Sequence, residues 1–143
     1  MKIAIGSDHA GLVLKAAIVA RLRATGHEVD DLGTLTADSC DFPVYAKAVA
    51  NGVVSGAYTR GVLVCGTGQG MAMTANRVPG VRAAVVADTF SARMTAAHND
   101  CNVLCLGARV VGEGLALDIV DAWMATPFEG GRHARRVAMI ETT

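Results

Sequence analysis

The run Cys65-Gly66-Thr67-Gly68-Gln69-Gly70 places a thiol at the head of a turn with a glycine at every second position. Peptide N–H groups in such a turn can converge on an oxyanion with no side chain in the way. A cysteine that ends a strand beside this nest and a following helix sits in a local positive field that favours the thiolate. Two chemistries follow: a base that moves protons, or a nucleophile that forms a covalent adduct. The plainer alternative is a buried core cysteine, the reading given to Cys40, Cys101 and Cys105. As a dinucleotide fingerprint the run fails, because it follows the third strand with the wrong spacing and the first strand carries no G-x-G-x-x-G.

A second run, Gly6-Ser7-Asp8-His9-Ala10-Gly11, leads from a strand straight into a helix whose free N–H groups favour an anion, with His9 placed to contact a phosphate. The alternative is that Asp8 only caps the helix and His9 is a surface residue. His98, with Asn99 and Asp100, closes the fourth helix and is expected on the carboxyl side of the sheet once the chain turns into the fifth strand. There it could act as a general acid and base, or merely complement a helix C-terminus. Arg132 and Arg136 stand four apart, so on a helix they share a face and could grip a dianion. The alternative is a solvated basic face that includes His133 and Arg135. Arg109, after the fifth strand, is a further cationic candidate.

These groups need elements to carry them. Short apolar runs near Lys2 to Gly6, Glu28 to Leu32, Gly61 to Cys65, Arg82 to Val86 and Asn102 to Gly107 predict five strands. Helix-length amphipathic segments separate them, the βαβ signature of a parallel sheet covered on both faces. Leu14, Ile18 and Leu22 share one face of the first helix, with Lys15, Arg21 and Arg23 expected in water and Gly26 ending it. Pro43 marks the first turn of a second helix reaching about Val54. Later helices are predicted at Gln69 to Asn76, Phe90 to His98 and Glu113 to Trp123, and a last one at Arg132 to Ile140 is expected to dock apart from the sheet. The fold is a three-layer α/β/α Rossmann-like sandwich, and the commonest order for five such strands is 2-1-3-4-5.

Composition sets the outer limits. In 143 residues with 52% hydrophobic content one domain can bury a sizeable core. Thirteen basic residues balance thirteen acidic ones, so no global field draws the chain to nucleic acid or an anionic membrane. The four cysteines show no CxxC or zinc spacing, so neither a structural metal nor disulfides are expected, and the setting reads as reducing cytosol. Met1-Lys2-Ile3-Ala4-Ile5-Gly6 has no signal-peptide character, and no apolar run approaches the roughly 18 residues of a membrane span. A cytoplasmic protein is expected.

Gly-Ser-Asp-His-Ala-Gly at 6 to 11, Cys-Gly-Thr-Gly-Gln-Gly at 65 to 70, Ala-Asn-Arg at 75 to 77, His-Asn-Asp at 98 to 100 and Gly-Gly-Arg-His at 130 to 133 cover nearly the whole chain. In this order they resemble the sugar-phosphate isomerase family of ribose-5-phosphate isomerase B and the galactose-6-phosphate isomerase subunits, and most closely its ribose-5-phosphate isomerase B branch. The resemblance implies an aldose–ketose isomerase that interconverts ribose 5-phosphate and ribulose 5-phosphate through a cis-enediolate, with no metal or nucleotide cofactor. It implies ring opening by His98 with help from Asp8, proton transfer between C2 and C1 by Cys65, and charge stabilisation by Thr67 and the amides of Gly66 to Gly70, including Gly68. Phosphate binding falls to His9, Arg132 and Arg136, with Arg109 contributed by the partner subunit, and Asn99 contacts the sugar. A homodimer or dimer of dimers is implied, its active site completed by a second chain.

One departure bears on the substrate: Asp41-Phe42-Pro43 stands where the family commonly has Asp-Tyr-Pro. A tetrulose 4-phosphate or allose 6-phosphate is the alternative sugar. Rival readings from other classes are a non-catalytic phosphosugar-binding module and a cysteine-nucleophile hydrolase or transferase.

Overall fold

All five predicted strands form, and the computed structural model, which describes residues 1–141, joins them in one parallel sheet. Strands β1 (Lys2–Ser7), β2 (Glu28–Asp31), β3 (Arg60–Cys65), β4 (Ala83–Val85) and β5 (Val103–Gly107) alternate with α1 (Leu12–Ala24), α2 (Phe42–Val54), α3 (Gln69–Ala75), α4 (Thr89–Asn99) and α5 (Glu113–Ala125). A sixth helix, α6 (Arg132–Glu141), follows. Because helices cover both faces, the interior strands are apolar on both. Ile3, Ile5, Val62, Val64, Leu104 and Leu106 pack with α1, α4 and α5, while Ala4, Leu63, Cys65, Val103 and Cys105 pack with α2 and α3.

The strand order is β2-β1-β3-β5-β4, so the expected 2-1-3-4-5 is corrected at its last two positions. The reason lies in the strands. Val103–Gly107 is buried throughout and suits an interior place, whereas Ala83–Val85 is three residues long and partly exposed, as an edge tolerates. Asn76 blunts that edge: its side-chain amide donates to the Ala83 carbonyl at 2.9 Å and accepts from the Ala83 N–H at 2.8 Å. The chain must then step back from β4 to β5, and a right-handed crossover in that sense carries α4 to the α1 and α5 face. Ala92 and Ala96 of α4 share a core with Trp123 of α5.

Leu14, Ile18 and Leu22 line the buried face of α1 as expected, but Lys15 does not reach water; it is 2% exposed. Its ammonium lies 2.8 Å from Asp31 Oδ2 and also donates to the Thr34 carbonyl. A carboxylate at the end of β2 offsets the desolvation that would otherwise expel the charge. The pair ties down the β2–α2 loop, because Asp31 also accepts from the Gly33 N–H at 2.9 Å and the Thr34 N–H donates to the Ser7 carbonyl at 3.0 Å. Helix α6 lies on α4 rather than on the sheet, as expected, and His133 is its buried residue. Glu141, at the far end of α6, accepts from Arg82 Nη1 at 2.9 Å and from the Gly80 N–H at 3.1 Å.

Candidate active site

Two loops meet beyond the carboxyl ends of β1 and β3, where Ser7 lies opposite Val64. The first is drawn down onto β3. The Asp8 N–H donates to the Val64 carbonyl at 3.3 Å, and a β-carbon added at Gly11 would stand only 2.6 Å from the same oxygen. Only glycine allows that approach. Asp8 is 7% exposed, and its Oδ1 accepts from the N–H groups of Ala10 at 3.0 Å and Gly11 at 3.2 Å. The cap is therefore real, and it also fixes the carboxylate in the crevice wall. His9 Nδ1 accepts from the Cys40 N–H at 3.2 Å. In the neutral ring the proton then sits on Nε2, the nitrogen able to donate to an anion.

The second loop holds Cys65, buried at the end of β3, with Sγ accepting from the Gly68 N–H at 3.1 Å. Gly68 takes a φ of 79°, which favours glycine, and rests against the Leu106 backbone. Thr67 lies on Gly107, where an added β-carbon would come within 2.8 Å of the Thr67 carbonyl carbon and oxygen. The turn is thus clamped on β5, whose Gly107 stands in register with Cys65 of β3. The Thr67 side chain is exposed at the rim, its Oγ1 accepting from the Gln69 N–H at 3.3 Å. Gly70, in the first turn of α3, seats the Phe42 ring, which an added β-carbon would meet at 2.7 Å. Cys101 and Cys105 behave as core residues, and burial pushes both thiols up.

Arg109 belongs to this half of the site. Its N–H donates to the Gly66 carbonyl at 3.0 Å and its guanidinium lies along Gly66, with Nη1 3.6 Å from where a β-carbon would be. The chain's own Arg109 therefore stands beside its own Cys65 turn. Sequence spacing gave no means of seeing this, because the contact depends on β5 lying next to β3.

His98, Asn99, Arg132 and Arg136 lie elsewhere. Helix α4 runs antiparallel to the strands, so its last turn falls at their amino edge, where Asn102 accepts from Gly61 just before β5 begins. The expectation that His98 faces the carboxyl edge is corrected by this direction of travel. Four residue steps of about 3.3 Å, or about 13 Å, separate the two ends of β5. Within the amino-edge group, Arg132 and Arg136 are exposed and His98 is half-buried, whereas His133, which only the alternative reading put on a solvated face, is 7% exposed and stacked on His98. Glu129 joins them and was missed. Its signal was its place four residues before His133, across the Gly130-Gly131 pair.

An open parallel sheet with a glycine-lined thiol turn at its switch point defines an α/β fold whose ligand crevice lies at the carboxyl edge. The Ribose/Galactose Isomerase family model matches residues 3–140. Over 139 residues the chain is 49% identical to ribose-5-phosphate isomerase B of Escherichia coli (strain K12), covering 97% of this chain and 93% of that one. It superimposes on ribose-5-phosphate isomerase B of Clostridium thermocellum with a TM-score of 0.98 at 52% identity, covering 99% and 96% of the two chains. The Mycoplasma genitalium enzyme of the same name, solved with bound ribulose-5-phosphate, gives a TM-score of 0.96 at 41% identity, covering 99% and 94%. The chain belongs to the Ribose/Galactose Isomerase family and is an enzyme, a sugar-phosphate isomerase. Among the described residues no helix is long and apolar enough to cross a membrane.

Proposed function

We propose that this enzyme interconverts D-ribose 5-phosphate and D-ribulose 5-phosphate through a cis-enediolate, with Cys65 as the proton carrier. The observation that carries the reading is the Cys65 sulfur, held at 3.1 Å by the Gly68 N–H in a turn with a glycine at every second position. An N–H aimed at sulfur suits a thiolate, which accepts but does not donate. In the aldose, the furanose opens as the C1 hydroxyl gives up a proton, the C1–O4 bond breaks and O4 gains a proton. His98 moves that proton, with Asp8 assisting. Cys65 then takes the hydrogen from C2 and returns it to C1, while O2 loses a proton and O1 gains one. Thr67 and the amides of Gly66, Gly68 and Gly70 hold the transient charge. Only protons move, so no covalent adduct and no cofactor are required.

Phosphate binding falls to His9 through Nε2–H, to Arg109 beside the turn, and to Arg132 and Arg136, with Asn99 on the sugar. Since His98, Asn99, Arg132 and Arg136 occupy the opposite edge of their own chain, the reading requires a second copy to bring them to Cys65. A homodimer, or a dimer of dimers, is the functional unit. Val13, Leu35, Phe90 and Val110, from 61% to 79% exposed in loops and first turns at the carboxyl edge, supply apolar surface for that contact. Four free thiols suit a reducing cytoplasm.

The test is an isomerisation assay on four-, five- and six-carbon phosphosugars with chelator present, following deuterium entry at C1 or C2 by NMR. Turnover of the five-carbon pair with solvent exchange is the expected result. Preference for a four- or six-carbon sugar would correct the substrate, and turnover of none would leave a binding module.

A further inference from the structure

Three side chains at the amino edge form a unit that proton transfer by His98 alone leaves unexplained. The rings of His98 and His133 lie face to face, with centroids 4.2 Å apart and planes 6° from parallel. Glu129 Oε2 stands 3.8 Å from His98 Nε2 and 3.4 Å from His133 Nε2. Local backbone builds the arrangement. Gly130 and Gly131 have φ values of 68° and 57° and turn the chain into α6, while the Glu129 N–H donates to the Ala97 carbonyl at 3.0 Å. Carboxylate and His98 therefore hang from the same last turn of α4.

His133 is the buried anchor of α6, yet its Nε2 has no hydrogen-bond partner among the described residues. A buried polar atom left this way costs stability that a phenylalanine at the same place would not. Two histidines and a glutamate also suggest a metal. The stacking opposes that use, because a ring nitrogen binds an ion about 2.0–2.1 Å away in its own plane, and face-to-face rings share no such point.

We propose that His133 and Glu129 are positioning residues for His98: the His133 ring is a neutral platform that fixes the plane of the His98 ring, and Glu129 is the counter-charge on their common edge. Burial first, then His98, Arg132 and Arg136, push the His133 pKa down from its ordinary value against the pull of Glu129. His133 is therefore biased towards its neutral form, and His98, half-exposed, is the ring of the pair that reaches the surface. Asp100, the other nearby carboxylate, is engaged by Arg82 Nη2 at 3.1 Å. The inference rests on the reading of His98 as the ring-opening acid and base.

Ring opening can be isolated chemically. Ribulose 5-phosphate carries its phosphate on the oxygen that would close a furanose, so it is open-chain, and exchange of its C1 hydrogen with D2O needs Cys65 but no ring opening. For each variant, kcat and KM for ribose 5-phosphate are measured alongside C1 deuterium exchange into ribulose 5-phosphate by NMR. His133→Ala is expected to lower kcat for the aldose roughly ten- to hundredfold by misplacing the catalytic ring, with KM and exchange nearly unchanged. His133→Phe, a flat ring without a proton to move, should recover most of the loss, and Glu129→Gln should lower the same kcat.

Unaltered kcat in His133→Ala, a His133→Phe as slow as His133→Ala, or exchange falling in step with turnover would overturn the proposal. His98→Asn in the same assays separates the two readings. If it leaves aldose turnover intact, the ring-opening role is wrong; if it alone slows turnover, only the positioning role is wrong.

Discussion

The two halves of the site are made of different materials. At the carboxyl edge the Cys65 turn is built from backbone, with Gly11 pressed on Val64, Gly68 on Leu106 and Gly107 under Thr67. At the amino edge the groups are side chains on helix ends, held by one buried anchor and a Glu141 tether. The first half suits a proton carrier and oxyanion donors, whose geometry must hold within fractions of an ångström. The second suits long cations that adapt to a phosphate. On the proposed reading, placing the halves at opposite edges of one chain makes association a condition of activity.

Removing the thiol is the most severe break. Cys65→Ala should lower turnover roughly a thousandfold, about 4 kcal/mol of barrier, while a phosphosugar inhibitor still binds; steady-state kinetics and calorimetry check both halves of the statement. Complementation then sharpens the division of labour. Cys65→Ala and His98→Asn homodimers, each impaired, should regain about a quarter of wild-type activity when unfolded and refolded together, since random reassortment makes half the dimers hybrid with one intact site each. No recovery would mean that Cys65 and His98 act from the same chain.

The first half was largely legible in the sequence and the second was not. Glycines flanking a thiol, and a strand running into a capped helix, state their geometry locally. The interior strands were legible for the same reason, as unbroken apolar runs. Strand order is not local: it turned on the weakness of Ala83–Val85 beside the full burial of Val103–Gly107, and through it on the face and direction of α4. Lys15 was misplaced, and the burial of His133 went unseen, because each looks like a polar surface residue until its partner, Asp31 or His98, arrives from another element.

Smaller changes test the contrast in rigidity. Gly11→Ala puts a β-carbon 2.6 Å from the Val64 carbonyl oxygen, so the loop or the strand must move. A loss of about 3 kcal/mol in denaturant unfolding is expected, with turnover falling as the Asp8 loop shifts. Arg136→Ala should do the reverse. The side chain is exposed and stands on an outer helix, so stability should hold within about 0.5 kcal/mol. Losing one charged hydrogen-bonding partner should raise KM roughly thirtyfold, about 2 kcal/mol. An unchanged KM would remove Arg136 from the phosphate clamp.

The smallest effect expected lies at the join between scaffold and selection. Phe42 presses the tip of its ring on Gly70, in the first turn of the helix that follows the Cys65 turn. Phe42→Tyr adds only a hydroxyl at that tip, so the packing should survive and the melting temperature should barely move. If the hydroxyl reaches a sugar oxygen, kcat/KM should rise for one chain length and not the others, by about 1 kcal/mol or roughly fivefold. Gly70→Ala supplies the contrast, since its β-carbon would displace the ring itself and should depress all sugars together. Should Phe42→Tyr also shift every sugar by the same factor, the residue belongs with the glycines as scaffold, and selection between sugars must reside in the half of the site carried by α4 and α6.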